Sequence, residues 1–178
     1  MRRMLGLGAV LAVLSLAGAG VAHAANPATI SVTVTIQALS VSTTGPIAFG
    51  TVVVGSETVS GSASTVTNDG NVTETFSLSL TNPGSWTAVQ AAPSSAEDYA
   101  LLAKFNSAAP TAVSFTYADH ALSTVSVASS ATKFAANQTG LSVTAAGTRS
   151  LWFRFNAPTS TAVTTQQNIT VTVTASAG

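Results

Sequence analysis

The chain has 178 residues, of which 7% are charged and 46% hydrophobic, and its formal net charge is zero. Soluble domains average about 25% charged residues, so Ser and Thr must cover most of the solvent-facing surface here, and the composition argues against a disordered chain. No basic patch is present, which argues against nucleic acid as a partner, and with no cysteine packing alone must hold the fold.

Residues 1–24 read as a secretory signal peptide. Arg2 and Arg3 precede an apolar run over residues 5–21, and Ala22-His23-Ala24 is a small-x-small cleavage site. A transmembrane anchor is the weaker reading, because the run is barely long enough and rich in Gly. Cleavage after Ala24 would leave residues 25–178 as a single domain, secreted to the exterior or the periplasm and free of the membrane. That domain carries Lys104, Lys133, Arg149 and Arg154 against Glu57, Asp69, Glu74, Glu97, Asp98 and Asp119, four cations against six carboxylates and a net charge of −2.

Residues 29–36, TISVTVTI, alternate strictly: Ile30, Val32, Val34 and Ile36 on one face, Thr29, Ser31, Thr33 and Thr35 on the other. This is the pattern of a half-buried strand. The parity then flips to Leu39 and Val41, which calls for a bulge or bend near Gln37-Ala38. A second strand is predicted over residues 47–54. Asp69-Gly70 sits between two alternating runs, a strong hairpin signal. Pairing outward from it sets Phe76 against Ala63, Leu78 against Gly61 and Leu80 against Val59, with mostly hydroxyls on the other face. One buried and one wet face argue an antiparallel sheet.

Short strands follow at residues 86–89 and 99–105. Ser94-Ser95-Ala96-Glu97 matches a capping box and predicts a helical turn. Residues 113–117 and 122–127 are predicted strands in the least regular part of the chain, and residues 141–144 open the last sheet section. Leu151, Phe153 and Phe155 point inward, leaving Trp152 and Arg154 outward. Ile169, Val171 and Val173 alternate with Thr170, Thr172 and Thr174 in the last strand. Many short strands, frequent turn signals and no long helix give an all-β fold, an antiparallel β-sandwich of about seven to nine strands.

Two stretches carry a resemblance. Pro46-Ile47-Ala48-Phe49-Gly50-Thr51-Val52-Val53-Val54-Gly55, followed by Val66-Thr67-Asn68-Asp69-Gly70, resembles the F-G-x-V-x-x-G…N-x-G pattern of abnormal-spindle and hydin-type immunoglobulin-like domains. Residues 141–175 are similar to the end of the same domain. The resemblance implies an immunoglobulin-like sandwich and a role in protein contacts. Residues 82–140 depart from the family in length and in their aromatics. The whole chain also resembles small secreted bacterial proteins.

Catalytic chemistry finds little support. His120, next to Asp119, is the one histidine of residues 25–178, and no G-x-S-x-G elbow accompanies it. The carboxylates are scattered, without the facing pair of a glycosidase or the clustered acids of a calcium site. No catalytic, cofactor-binding or metal-ligating residue is assigned, and no cofactor. Trp86, Tyr99, Tyr117 and Trp152 offer a candidate sugar platform, against core packing as the competing role of each. Trp152 and Arg154 share an outward face and mark a candidate contact surface. Ile30, Val32, Val34 and Ile36 mark a candidate strand-exchange segment.

The leading expectation is a non-enzymatic secreted subunit working through protein contact, with other proteins or with itself, as a surface or fibre protein assembling by strand addition. A carbohydrate-binding module is the alternative, and a secreted hydrolase the third. Sequencing of exported material should give Ala25 as the first residue; an intact Met1 in the membrane fraction would show an anchor instead.

Overall fold

The computed structural model describes residues 27–178. The signal-peptide assignment and the Ala24 cleavage site lie outside the described residues.

Nine strands form in chain order: β1 (Val41–Thr43), β2 (Glu57–Val59), β3 (Ser64–Asn68), β4 (Glu74–Thr81), β5 (Thr87–Ala88), β6 (Asp98–Phe105), β7 (Val127–Ala128), β8 (Thr148–Asn156) and β9 (Thr170–Ala177). A 3-10 turn at Ala112–Ser114 and a single helical turn, α1 (Tyr117–His120), lie between β6 and β7. One sheet has the order β1-β3-β8-β6-β5, with β2 also on β8; the other has the order β7-β4-β9. The protein is an all-β sandwich, built within Thr35–Gly178.

Three of the four longest strands, β4, β8 and β9, place alternate residues on the core, because a pleated strand sends successive side chains to opposite faces. On β4, Phe76, Leu78 and Leu80 are buried while Ser77 and Ser79 are partly exposed. Its partner is β9, antiparallel, with Phe76 opposite Ala175, Leu78 opposite Val173 and Leu80 opposite Val171. On β8, Leu151, Phe153 and Phe155 face the same core as Val66, Tyr99, Leu101, Ala103 and Phe105. A ring pair bridges the two sheets, with the Phe76 (β4) and Phe105 (β6) centroids 6.3 Å apart, while Tyr99 and Phe155, 5.9 Å apart, meet on the neighbouring strands β6 and β8 of one sheet. Strand β6 is buried on both faces. Its outer face, Ala100 and Leu102, packs with Phe115 and Ala121 from the segment that follows it.

The hairpin at Asp69-Gly70 does not form. Strand β3 pairs with β1 and β8, and β4 with β7 and β9, so the turn is a corner between the sheets. A two-residue type I′ hairpin needs positive φ at both central residues, and neither Asp69 nor Gly70 has one. A polar network takes its place. The Asn68 side chain, fully buried, donates to the carbonyls of Val72 and Val143, both at 2.8 Å, and accepts from the Gly70 N–H at 2.9 Å. Those bonds tie the corner to residue 143, far along the chain, and no local pattern announces them.

Other expectations also change. Residues 29–36 form no strand and are exposed along their whole length. Residues 47–54 are irregular, although Ile47, Phe49 and Val52 still pack on the core. No helix starts at Ser94, because the Glu97 carboxylate is engaged elsewhere, accepting from the Thr161 hydroxyl at 2.5 Å and the Ala162 N–H at 2.7 Å. Residues 113–117 coil over the outer face of β6 and β8 instead of extending. Of residues 122–127 and 141–144, only Val127 enters a strand, and Val143 makes an isolated bridge to Glu74.

Replacing Phe76 by Ala should destabilise the fold by roughly 3–5 kcal/mol, as truncation of a buried aromatic does, whereas Thr172→Ala should cost less than about 0.5 kcal/mol. Denaturant titrations of the two variants check the ranking, and the reverse order would mean that the faces of β4 and β9 are assigned one residue out of register.

Candidate strand-acceptor groove

In immunoglobulin lettering, β1-β3-β8-β6 follows the order A-B-E-D, and β4-β9 follows C-F, with β7 added outside β4. The seventh strand, G, would lie along the outer edge of β9. Among the described residues nothing occupies that position.

An open groove of about 1060 Å³ runs where that strand would be. One wall is β9 with the residues before it, presenting Ile169, Val171 and Val173. The other is the irregular stretch after β1, presenting Ile47, Phe49 and Val52. The floor is the core itself, through Leu101, Leu151, Phe153 and Phe155. Phe49 lies 5.6 Å from the Phe155 ring, so the F-G stretch that carried the family resemblance is the wall opposite β9. Positive φ at Gly50 (68°) and Gly55 (70°) bends this wall into a loop where a strand was predicted.

The edge of β9 is unprotected. Its sequence, TVTVTASA, contains no charge and no Pro, the usual devices by which a free edge avoids pairing with other chains. Val171, Val173 and Ala175 are each only partly covered, by β4 on one side and the core below. The groove can take an extended segment with an apolar residue at every second position. Main-chain bonds to β9 would hold such a segment, and alternate side chains would reach the floor.

The other expected contact face is partly covered. Trp152 and Arg154 do lie on the outer face of β8, but the chain's own residues 106–117 close over them. The Trp152 Nε1–H donates to the Asn106 carbonyl at 3.0 Å. Arg154, 5% exposed, donates from Nη1 to the carbonyls of Ala112 at 2.8 Å and Phe115 at 3.3 Å. Glu57 lies 3.6 Å away, and the guanidinium stands 5.3 Å from the Tyr117 ring centre. Lys104, on the same face, donates to the Ser114 carbonyl at 2.8 Å and hydroxyl at 2.9 Å and stands 4.8 Å from the Phe115 ring centre. Burial pushes its ammonium below the usual lysine range. The two cations pin a cover segment to the sheet; Arg154 is buried beneath it, while Trp152 stays partly exposed.

The four candidate platform aromatics are divided between two interiors. Trp86 stacks on Phe155 at 6.0 Å beside fully buried Tyr99, whereas Tyr117 and Trp152 pack around the Phe115 cluster. His120 is buried too. Its Nδ1 accepts from the Thr116 N–H at 2.9 Å and its Nε2 lies 3.2 Å from the Ala135 carbonyl, so the neutral ring protonated at Nε2 satisfies both. That is a fastening between α1 and residue 135.

No protein-family model, curated protein or solved structure matches the chain.

Burial holds the His120 ring below the usual histidine range; Lys104 acts in the same direction, while the Ala135 carbonyl, Asp119 and the Thr116 backbone oppose it. The unfolded chain takes up this proton as pH falls through about 6.5, and the folded ring does so only at lower pH. The stability due to the neutral ring is therefore complete above about pH 6.5 and is lost as pH drops below it. Thermal melts at pH 7.5 and 5.5 should show a larger loss for the wild type than for His120→Gln; equal losses would show that the ring is not the responsible group.

Proposed function

We propose that the chain is a secreted, non-enzymatic structural subunit whose sandwich is completed by a strand from another chain, so that subunits join into surface fibres. The observation that carries this reading is the free edge of β9 standing beside a groove open to the core. A sandwich that lacks one strand leaves core side chains partly wetted, and each Val or Ile buried there would contribute about 1.5–3 kcal/mol. Strand addition supplies both the missing side chains and the missing main-chain partner. When donor and acceptor belong to different patches of one subunit, the contact is head-to-tail and propagates into a filament unless its rotation closes a ring.

Export fits the signal-like pattern of residues 1–24. The carbohydrate-binding alternative is not favoured, because Trp86 and Tyr99 pack in one cluster and Tyr117 and Trp152 in another, so the four rings form no single platform. A hydrolase reading has no support in His120, which is buried with both ring nitrogens engaged.

Light scattering and negative-stain microscopy of residues 25–178 should reveal chains of subunits that lengthen with concentration. Thr172→Lys, which sets a charge at an exposed position of the free edge strand, should weaken lengthening while leaving the circular dichroism of the sandwich intact. A wild type that stays monomeric at millimolar concentration would overturn the assembly reading.

A further inference from the structure

The chain enters β1 through residues 36–40, and their main chain is bonded along its length to the corner between β3 and β4. Asn71 Nδ2 donates to the Ile36 carbonyl at 2.8 Å, and Asn71 Oδ1 accepts from the Ala38 N–H at 2.9 Å. The Asn71 N–H donates to the Ala38 carbonyl at 3.1 Å, and the Asp69 N–H to the Ser40 carbonyl at 2.8 Å. The Glu74 carboxylate, fully buried, accepts from the Ser40 N–H at 2.8 Å. A single amide that joins one residue's carbonyl to the N–H two residues on does what a neighbouring strand does, and it keeps that stretch extended. Gly70 makes the close approach feasible, since a Cβ there would collide with Glu74 Oε1 and the Ala38 carbonyl.

Ahead of this clamp stands the alternating segment, with Ile30, Val32, Val34 and Ile36 exposed by 89%, 80%, 76% and 72%. It contains no charge and no Pro. Its eight residues equal the length of β9, and its four β-branched side chains at alternate positions match what the groove floor would receive.

The β9 register sets Ala177 opposite Glu74 and Thr170 opposite Thr81, so the clamp stands at the Ala177 end of the acceptor edge. For residues 29–36 to run along β9 of their own molecule, the chain would have to reverse within residues 36–40. Those are the residues bonded in extended form, spanning roughly 13 Å at about 3.3 Å per residue. A second molecule imposes no such reversal.

From this geometry we infer that residues 29–36 fill the β9 groove of a second copy of this chain, and that Asn71, with Gly70 and Glu74 behind it, directs the segment outward to that copy instead of back to its own groove. The inference rests on the strand-addition reading and names its donor and the residues that direct it. Asn71 is a positioning residue: it bonds the main chain at Ile36 and Ala38 and does not line the groove.

The cysteine-free sequence makes disulfide trapping clean. Residues 25–178 carrying Thr33→Cys, combined in turn with Thr170→Cys, Thr172→Cys or Thr174→Cys, place thiols at exposed positions of the donor and of the β9 edge. Mild oxidation should give a non-reducing ladder of covalent multimers for at least one pairing. Adding Asn71→Ala should shift that pairing toward single-chain disulfides by tenfold or more, detected by mass and gel mobility. Single-chain closure with Asn71 intact would overturn the directing role, as would a ladder that Asn71→Ala leaves unchanged. Filaments that persist with no cross-link in any pairing would show a different donor and leave the assembly reading standing. Loss of both filaments and cross-links from the parent sequence would overturn both.

Discussion

A core shared by two sheets is exposed wherever the strands at its edge are left without a partner, and among the described residues β9 is such an edge. The outer face of β6 and β8, by contrast, carries the chain's own cover, with Phe115 and α1 folded over it. On the open side β9 ends its sheet and β1, only three residues long, ends the other. The irregular wall of residues 45–54 narrows the gap without donating a ladder. The open groove, the partial exposure of Val171 and Val173, and the floor of Leu151, Phe153 and Phe155 all accompany this edge, which has no second partner among the described residues.

The corner between β3 and β4 is the second constraint, and it works through buried polar groups. Asn68 and Glu74 are fully buried, which is costly unless their bonds are made. Asn68 makes three, to Val72, Val143 and Gly70. Glu74 makes one through Oε1 to Ser40 and leaves Oε2 without a partner. A network of this kind fixes one arrangement of the corner, because any slip would leave several buried groups unmet. It holds the sheets at their crossover and holds residues 36–40 straight at the same time. Stability of the sandwich and direction of the entering chain thus depend on the same few side chains.

How much of this was legible in the sequence depended on where the deciding contact lay. The inward faces of β4, β8 and β9 were readable because a strand's period of two is local: Phe76, Leu78, Phe153, Phe155, Val171 and Val173 all face where the alternation puts them. The partners of those strands were not readable. Asp69-Gly70 between two alternating runs looks like a hairpin, and what overrides it is a bond from Asn68 to residue 143. Trp152 and Arg154 were correctly turned away from the core, yet no signal in β8 announces that residues 106–117 return to cover them. Residues 29–36 have the full pattern of a half-buried strand without a partner among the described residues. The pattern shows that an apolar face is suited to burial, and it is silent on which chain buries it. The groove left no sequence signature, since a missing strand is an absence in the topology.

The low charge of the chain acquires a physical sense beside an open edge. Lys and Pro are the common protections of an edge strand, and both β9 and residues 29–36 lack them. Two of the cations carried by sheet strands, Lys104 and Arg154, are spent on the covered face, where Ser114, Ala112 and Phe115 accept their hydrogen bonds. A protein selected only to remain monomeric would be expected to distribute these charges the other way, leaving the covered face apolar and guarding the free edge. The distribution found here keeps pairing at β9 open while fixing the opposite face with the chain's own segment. Under the proposed exchange, that asymmetry confines growth to one edge and leaves the covered face unavailable for sheet stacking, the condition under which strand addition gives single files of subunits instead of amorphous aggregates.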